Sequence, residues 1–226
     1  MSVLSKISAT VSALILSAGF ASAATINFNT VNNGFTAAPL TFSNGADSVT
    51  VTASRVSTSG ALQGGRAHLA SFAGTSGGLG ICSEPFCNTV TGDEIKGILD
   101  QHTIDGKNKG ELAILDFGSV FVKLLSVTFS YADRNDQFAL LDFATNSFTS
   151  GLLTGSSFIS TYVFADGASG SKFGFGAIDK KSEFKLQSIS YDVIPPVSAV
   201  PLPAGGLLLI SGMAGLAALR RRRQAA

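Results

Sequence analysis

The chain has 226 residues, with 16 basic and 15 acidic side chains, 25 glycines, two histidines, two cysteines and no tryptophan. So few histidines weigh against a metalloenzyme, and the lack of tryptophan weighs against a sugar site lined by indoles. The near balance of charge removes the electrostatic footprint of a nucleic-acid binder.

At the N-terminus Lys6 precedes the apolar segment Ile7 to Phe20, and Ala21-Ser22-Ala23 supplies the small residues that signal peptidase requires. The pattern predicts a secretory signal peptide over residues 1–23, translocation through the Sec translocon, and cleavage between Ala23 and Ala24. An uncleaved first transmembrane helix is the alternative, although Ser8, Thr10, Ser12 and Ser17 interrupt the segment.

Alternation dominates the region that follows. Val49, Val51 and Ala53 share one face of Ser48 to Ala53, and Leu125, Val127, Phe129 and Tyr131 repeat that period with serine and threonine between them. Further short runs fall at Leu112 to Phe117, Phe138 to Phe143, Phe158 to Phe164, Lys172 to Ile178 and Phe184 to Val193. Turn-forming clusters such as Asn32-Asn33-Gly34 and Asp166-Gly167 separate the runs. Many brief strands so spaced predict an all-β domain over residues 24–193, an antiparallel β-sandwich of jelly-roll-like topology, with a closed barrel as the second reading. One short helix is expected at Asp93 to Asp100. No repeat of propeller or solenoid length is visible.

Cys82 and Cys87 are the sole cysteines, and export to an oxidising compartment predicts a disulfide between them. Closing so small a loop constrains the unfolded chain by roughly 2 kcal/mol. Gly74-Thr75-Ser76-Gly77-Gly78 matches a nucleophile-elbow pattern, with His102 downstream as a base. The motif needs a strand, a sharp turn and a helix in an α/β sheet, so in an all-β pattern it reads as a loop, and His68 reads as a surface or strand residue. Asp93, Glu94, Asp100, Asp105 and Glu111 suggest a glycosidase carboxylate pair. Lying among Lys96, Lys107 and Lys109 and three glycines, they read better as a solvated loop. Asp133, Asn135 and Asp136, followed by Asp142, gather oxygen ligands of the kind a structural calcium wants. A polar turn with Asp and Asn accepting backbone hydrogen bonds is the alternative.

Residues 194–203 form a linker with four of the six prolines, Pro195, Pro196, Pro201 and Pro203, which predicts an extended, exposed spacer. Within it Val200-Pro201-Leu202-Pro203-Ala204 leads into an apolar helix expected over residues 204–219, followed by Arg220, Arg221, Arg222 and Arg223 in a basic tail, residues 220–226. Sixteen helical residues span about 24 Å against a hydrocarbon core of about 30 Å, so the span is short and leans on arginine snorkelling and bilayer thinning. Clustered arginine keeps the tail cytoplasmic. An ordinary tail anchor is the plain alternative.

A signal peptide paired with a Val-Pro-Leu-Pro-Ala motif, a glycine-rich apolar helix and an arginine cluster resembles the PEP-CTERM sorting architecture in its VPLPA variant. The resemblance covers about 27 residues of the tail and stops there. It implies processing by an exosortase, an integral-membrane transpeptidase-like enzyme of Gram-negative bacteria, and a link to exopolysaccharide and biofilm. Losing Lys6 and the four arginines from the 16 basic residues leaves 11 against 15 acids, a net charge of −4 for the mature form. The resulting expectation is a non-enzymatic exported protein without a required cofactor, anchored first in the inner membrane and then placed at the cell surface or in the matrix, with a structural or adhesive role. A carbohydrate-binding module is the second reading, for which only Tyr131, Tyr162 and Tyr191 are at hand as tyrosine platforms. A glycan-active enzyme is the third.

Overall fold

A computed structural model describes residues 23–30, 34–45, 47–57, 61–63, 67–83, 103–106, 110–154, 158–177 and 179–196, together with Met213, Arg220 and Arg221. Along the chain run β1 (Ala24–Asn27), β2 (Gly34–Thr36), β3 (Leu40–Asn44), β4 (Asp47–Val56), β5 (Leu62–Gln63), β6 (Ala67–Phe72), β7 (Gly78–Ser83) and β8 (Ile104–Asp105). They are followed by β9 (Gly110–Asp116), β10 (Val122–Ser130), β11 (Gln137–Asp142), β12 (Ser147–Leu152), β13 (Ile159–Gly170), β14 (Lys172–Ala177) and β15 (Glu183–Val193). All pairing is antiparallel, in two sheets. One is ordered β13-β10-β15-β7-β6-β2, with β1 and β8 also on β15; the other is ordered β12-β11-β14-β9-β4-β3, with β5 on β4. The described domain is thus all-β and two-layered, as the alternation predicts.

The pairing is nested. β11 pairs with β12, β10 with β13, β9 with β14 and β8 with β15, and successive pairs fall in opposite sheets. The chain from β8 to β15 is therefore one long antiparallel ribbon, rolled so that its two halves face each other across a core.

That core draws on both sheets. Leu69, Leu79, Ile81, Val127, Phe129, Phe184, Leu186 and Ile189 come from one, and Val49, Val51, Leu115, Phe138, Leu140, Phe173 and Phe175 from the other. Phe129 stands at the centre, with ring centroids 5.0 Å from Phe138, 4.8 Å from Phe184 and 6.3 Å from Phe175. Full burial of each such ring contributes roughly 2 to 3 kcal/mol, and the edge-on contacts add about 1 kcal/mol per pair. A second apolar group of Val56, Leu112, Ile114 and Leu141 sits on the other face of the second sheet. There Leu112 lies against Gly174 and Gly176 of β14, where a Cβ would come within 2.9 and 2.8 Å of its methyls.

Two sequence expectations change in detail. The register shifts between Leu124 and Ser126, a bulge that puts Leu124, not Leu125, in the core beside Val127 and Phe129. Asp166-Gly167 lies inside β13, not in a turn between strands, with Gly167 at φ 69° opposite the same irregularity. The helix expected at 93–100 lies outside the described residues.

β1 and β15 are neighbours, with Ala24 opposite Tyr191, so the domain starts and ends at the same pole. Tyr191 is fully buried there, and its hydroxyl donates to Asp47 Oδ2 at 3.3 Å. Burial, reinforced by the Asp47 carboxylate, pushes the phenol up to about 12. An unfolded tyrosine ionises near pH 10 while the native one keeps its proton, so stability is intact below about pH 10 and falls as pH rises towards about 12. The loss attributable to this residue is on the order of 2 to 3 kcal/mol. Urea midpoints of the wild type should fall across that window and those of Tyr191→Phe should fall less; parallel curves would show that the phenol is not the cause.

Candidate functional site

The outer face of the first sheet carries a regular polar surface. Val127, Ile189 and Ile26 point into the core, so Thr128, Ser188 and Asn27, and likewise Ser126, Ser190 and Thr25, point outwards. β13 extends these rows with Thr161 and Val163. The result is two parallel cross-strand lines, Thr161-Thr128-Ser188-Asn27 and Val163-Ser126-Ser190-Thr25, with neighbouring strands about 4.8 Å apart. The Thr128 and Thr161 hydroxyls are 3.0 Å apart and hydrogen-bonded.

The same face ends in an aromatic group around a lysine. Lys185 of β15 places Nζ 5.0 Å from the Phe72 ring and 5.4 Å from the Tyr131 ring, and Tyr131 lies 6.1 Å from Phe158. Phe158 is 64% exposed although it is a large apolar side chain. Lys185 forms no ion pair with a described residue, and desolvation alone draws its ammonium below the usual lysine range. Tyr131 holds φ 54°, the left-handed region that a bulky residue enters at a cost of roughly 1 to 2 kcal/mol, and this turns its ring out of the alternation that the sequence suggests.

A glycine hairpin borders this group. Residues 73–77 join β6 to β7, tied down by Ser130 Oγ donating to Gly77 O at 2.6 Å and Gln187 Nε2 donating to Thr75 O at 2.7 Å. Gly78 sits at φ 148° beside the backbone of β15, where a Cβ would stand 2.7 Å from Leu186 O. The nucleophile-elbow pattern is therefore a strand-turn-strand hairpin, its last glycine already in β7; His102 lies outside the described residues. His68 is buried in β6 opposite Cys82, not at the surface.

The other sequence candidates fall as follows. Cys82 is disulfide-bonded, and Cys87, the one other cysteine of the chain, lies outside the described residues. Asp105 and Glu111 are buried, contrary to a solvated loop, and Glu111 Oε2 accepts from the Asp105 amide at 3.0 Å. Asp93, Glu94 and Asp100 lie outside the described residues, as do Ala21, the motif Val200, Pro201, Leu202, Pro203 and Ala204, and the pair Arg222 and Arg223. Arg220 and Arg221 are exposed. No helix among the described residues is long and apolar enough to cross a membrane.

Asp136 is buried and works as a corner brace: Oδ2 accepts from Asp133 N at 2.6 Å and Oδ1 from Glu183 N at 3.3 Å. Burial raises its carboxyl above the usual range, opposed by those two amides. Asp142 stands at the far end of β11, about 20 Å of extended strand away, where it accepts from Ala144 N at 2.8 Å and Thr145 Oγ1 at 2.9 Å. The two carboxylates thus cannot share one cation with Asp133 and Asn135, and no group of three His, Cys, Asp or Glu among the described residues is placed to hold a metal.

Compared with protein-family models, curated proteins and solved structures, the chain matches none. Phe72, Phe158 and Lys185 went unremarked in the sequence because their convergence depends on strand order, not on spacing.

Two outcomes follow from this geometry. Gly78→Ala should lower stability by about 2 kcal/mol or more, read as a shifted denaturant midpoint, because it combines a left-handed φ with a backbone clash. Adding a calcium chelator should leave the melting temperature where it was; a marked drop would reveal a cation that these carboxylates do not hold together.

Proposed function

We propose that this is an exported surface protein, processed at both ends, whose jelly-roll sandwich makes adhesive contacts in an extracellular matrix. The observation that carries the reading is the placement of the chain ends. β1 and β15 lie side by side with Ala24 opposite Tyr191, so the segments read as signal peptide and membrane-seeking tail both leave from one pole. An extended proline linker would then hold that pole clear of the bilayer.

The nested pairing of β8 with β15, β9 with β14, β10 with β13 and β11 with β12 supports the jelly-roll assignment. The adhesive reading draws on the rim of the sandwich at β12 and β13. Leu152, Phe158, Ile159 and Val163 are between 42% and 68% exposed there, while Leu62 and Phe121 are the other exposed large apolar side chains of the described domain. Exposed apolar groups gathered in one region mark contact surfaces more often than chance.

Intact-mass measurement of the protein recovered from a Gram-negative host tests the reading. The expected product begins at Ala24, ends near Pro203 and appears in the envelope or medium. Full-length chain retained in the cytosol, with Arg220 to Arg223 still attached, would overturn it.

A further inference from the structure

Lys185 is a surface charge held against aromatic rings. Its ammonium is half-buried against Phe72 and Tyr131 and forms no ion pair with a described residue, while the exposed Phe158 ring extends the same apolar wall. Two ring faces compensate this partly desolvated cation only in part, and it has no carboxylate partner among the described residues, so an incoming anion recovers the remaining cost. The exposed Phe158 ring beside it offers apolar surface to flat groups such as the C–H face of a sugar.

The neighbourhood narrows the class of ligand. Along the same sheet face run the Ser and Thr rows of β13, β10, β15 and β1, a flat, polar, hydrogen-bonding surface unlike a groove for an acyl chain. A repeating polymer rich in hydroxyls fits such rows, with one charged unit at the lysine. Location agrees, since Lys185 and Val193 lie eight residues apart on β15, about 27 Å, which sets the lysine far from the pole where both chain ends emerge.

We propose that Lys185, framed by Phe72, Tyr131 and Phe158, binds a carboxylate-bearing sugar unit of an extracellular polysaccharide, whose chain continues over the Ser/Thr rows of the same face. This rests on the adhesive reading above and names the class of its ligand. Because the mature chain carries a net charge of −4, attraction to an acidic polymer is short-ranged and local to this site, not a property of the whole surface.

The test is calorimetric titration of the full chain, purified in mild detergent, with oligogalacturonate and oligomannuronate, their methyl esters, polyglutamate, and vesicles containing phosphatidylglycerol. At least one acidic oligosaccharide should bind, and its ester should bind about tenfold more weakly. Lys185→Met should weaken binding by about tenfold or more while Lys185→Arg largely retains it. Phe158→Ala should also lose about tenfold, with an unchanged melting temperature because that ring is exposed. Absence of binding to both acidic oligosaccharides, equal affinity for the esters, polyglutamate or vesicles, or an unaltered affinity in folded Lys185→Met would each overturn the proposal. Correct export with no binding sinks this inference alone, whereas cytosolic retention with intact binding sinks only the export reading.

Discussion

The contact between Phe129 of one sheet and Phe138 and Phe175 of the other is the constraint on which the rest of the molecule depends. A rolled ribbon is kept closed chiefly by the apolar layer between its two sheets, with polar contacts such as Tyr191 to Asp47 beside it. Phe129 and Phe138 flank the corner where the chain passes from β10 to β11, so an aromatic contact between the sheets lies just where the ribbon changes sheets. Asp136 supports that corner from beneath with hydrogen bonds to Asp133 and Glu183, and Gln137 N donates to Ser182 Oγ at 2.8 Å. Packing and polar bracing thus meet at one corner of the sandwich.

Much of this was legible in the residues. Strands with alternation, such as β4 and β15, stood out because each buries one face and leaves the other less covered. β6 and β7 did not, because nearly every position along them is buried and Gly78 and Gly80 erase the period. The face of β10 was misread at Leu125 and Tyr131, since a bulge and one left-handed residue reset the alternation at its two ends. Such local resets depend on neighbouring strands, and no periodicity within a single segment reports them.

The surface around Lys185 illustrates a different limit. Its members come from β6, β15, the end of β10 and the start of β13, which are far apart in the chain and adjacent only through sheet order. Spacing searches find chemistry that a helix or a loop brings together locally. The glycines that looked like a catalytic motif serve this surface indirectly, since Gly77 lets the turn close against Phe72 O and Gly78 lets the hairpin lie close to the backbone of β15. The export signals proposed for the chain ends are legible for the opposite reason, because such signals would be read as linear sequence.

β13 forms one rim of its sheet and, at 12 residues, is the longest described strand, so it presents a row of unmatched amides and carbonyls to its surroundings. Its pairing with β10 breaks between Ala168 and Val163, where Gly167 bends the backbone out of line. That kink divides the rim into two short lengths that no straight foreign strand can follow from end to end. A protein with such an edge is guarded against zipping into fibrils with its own copies, and the irregularity acts as a built-in spacer between molecules.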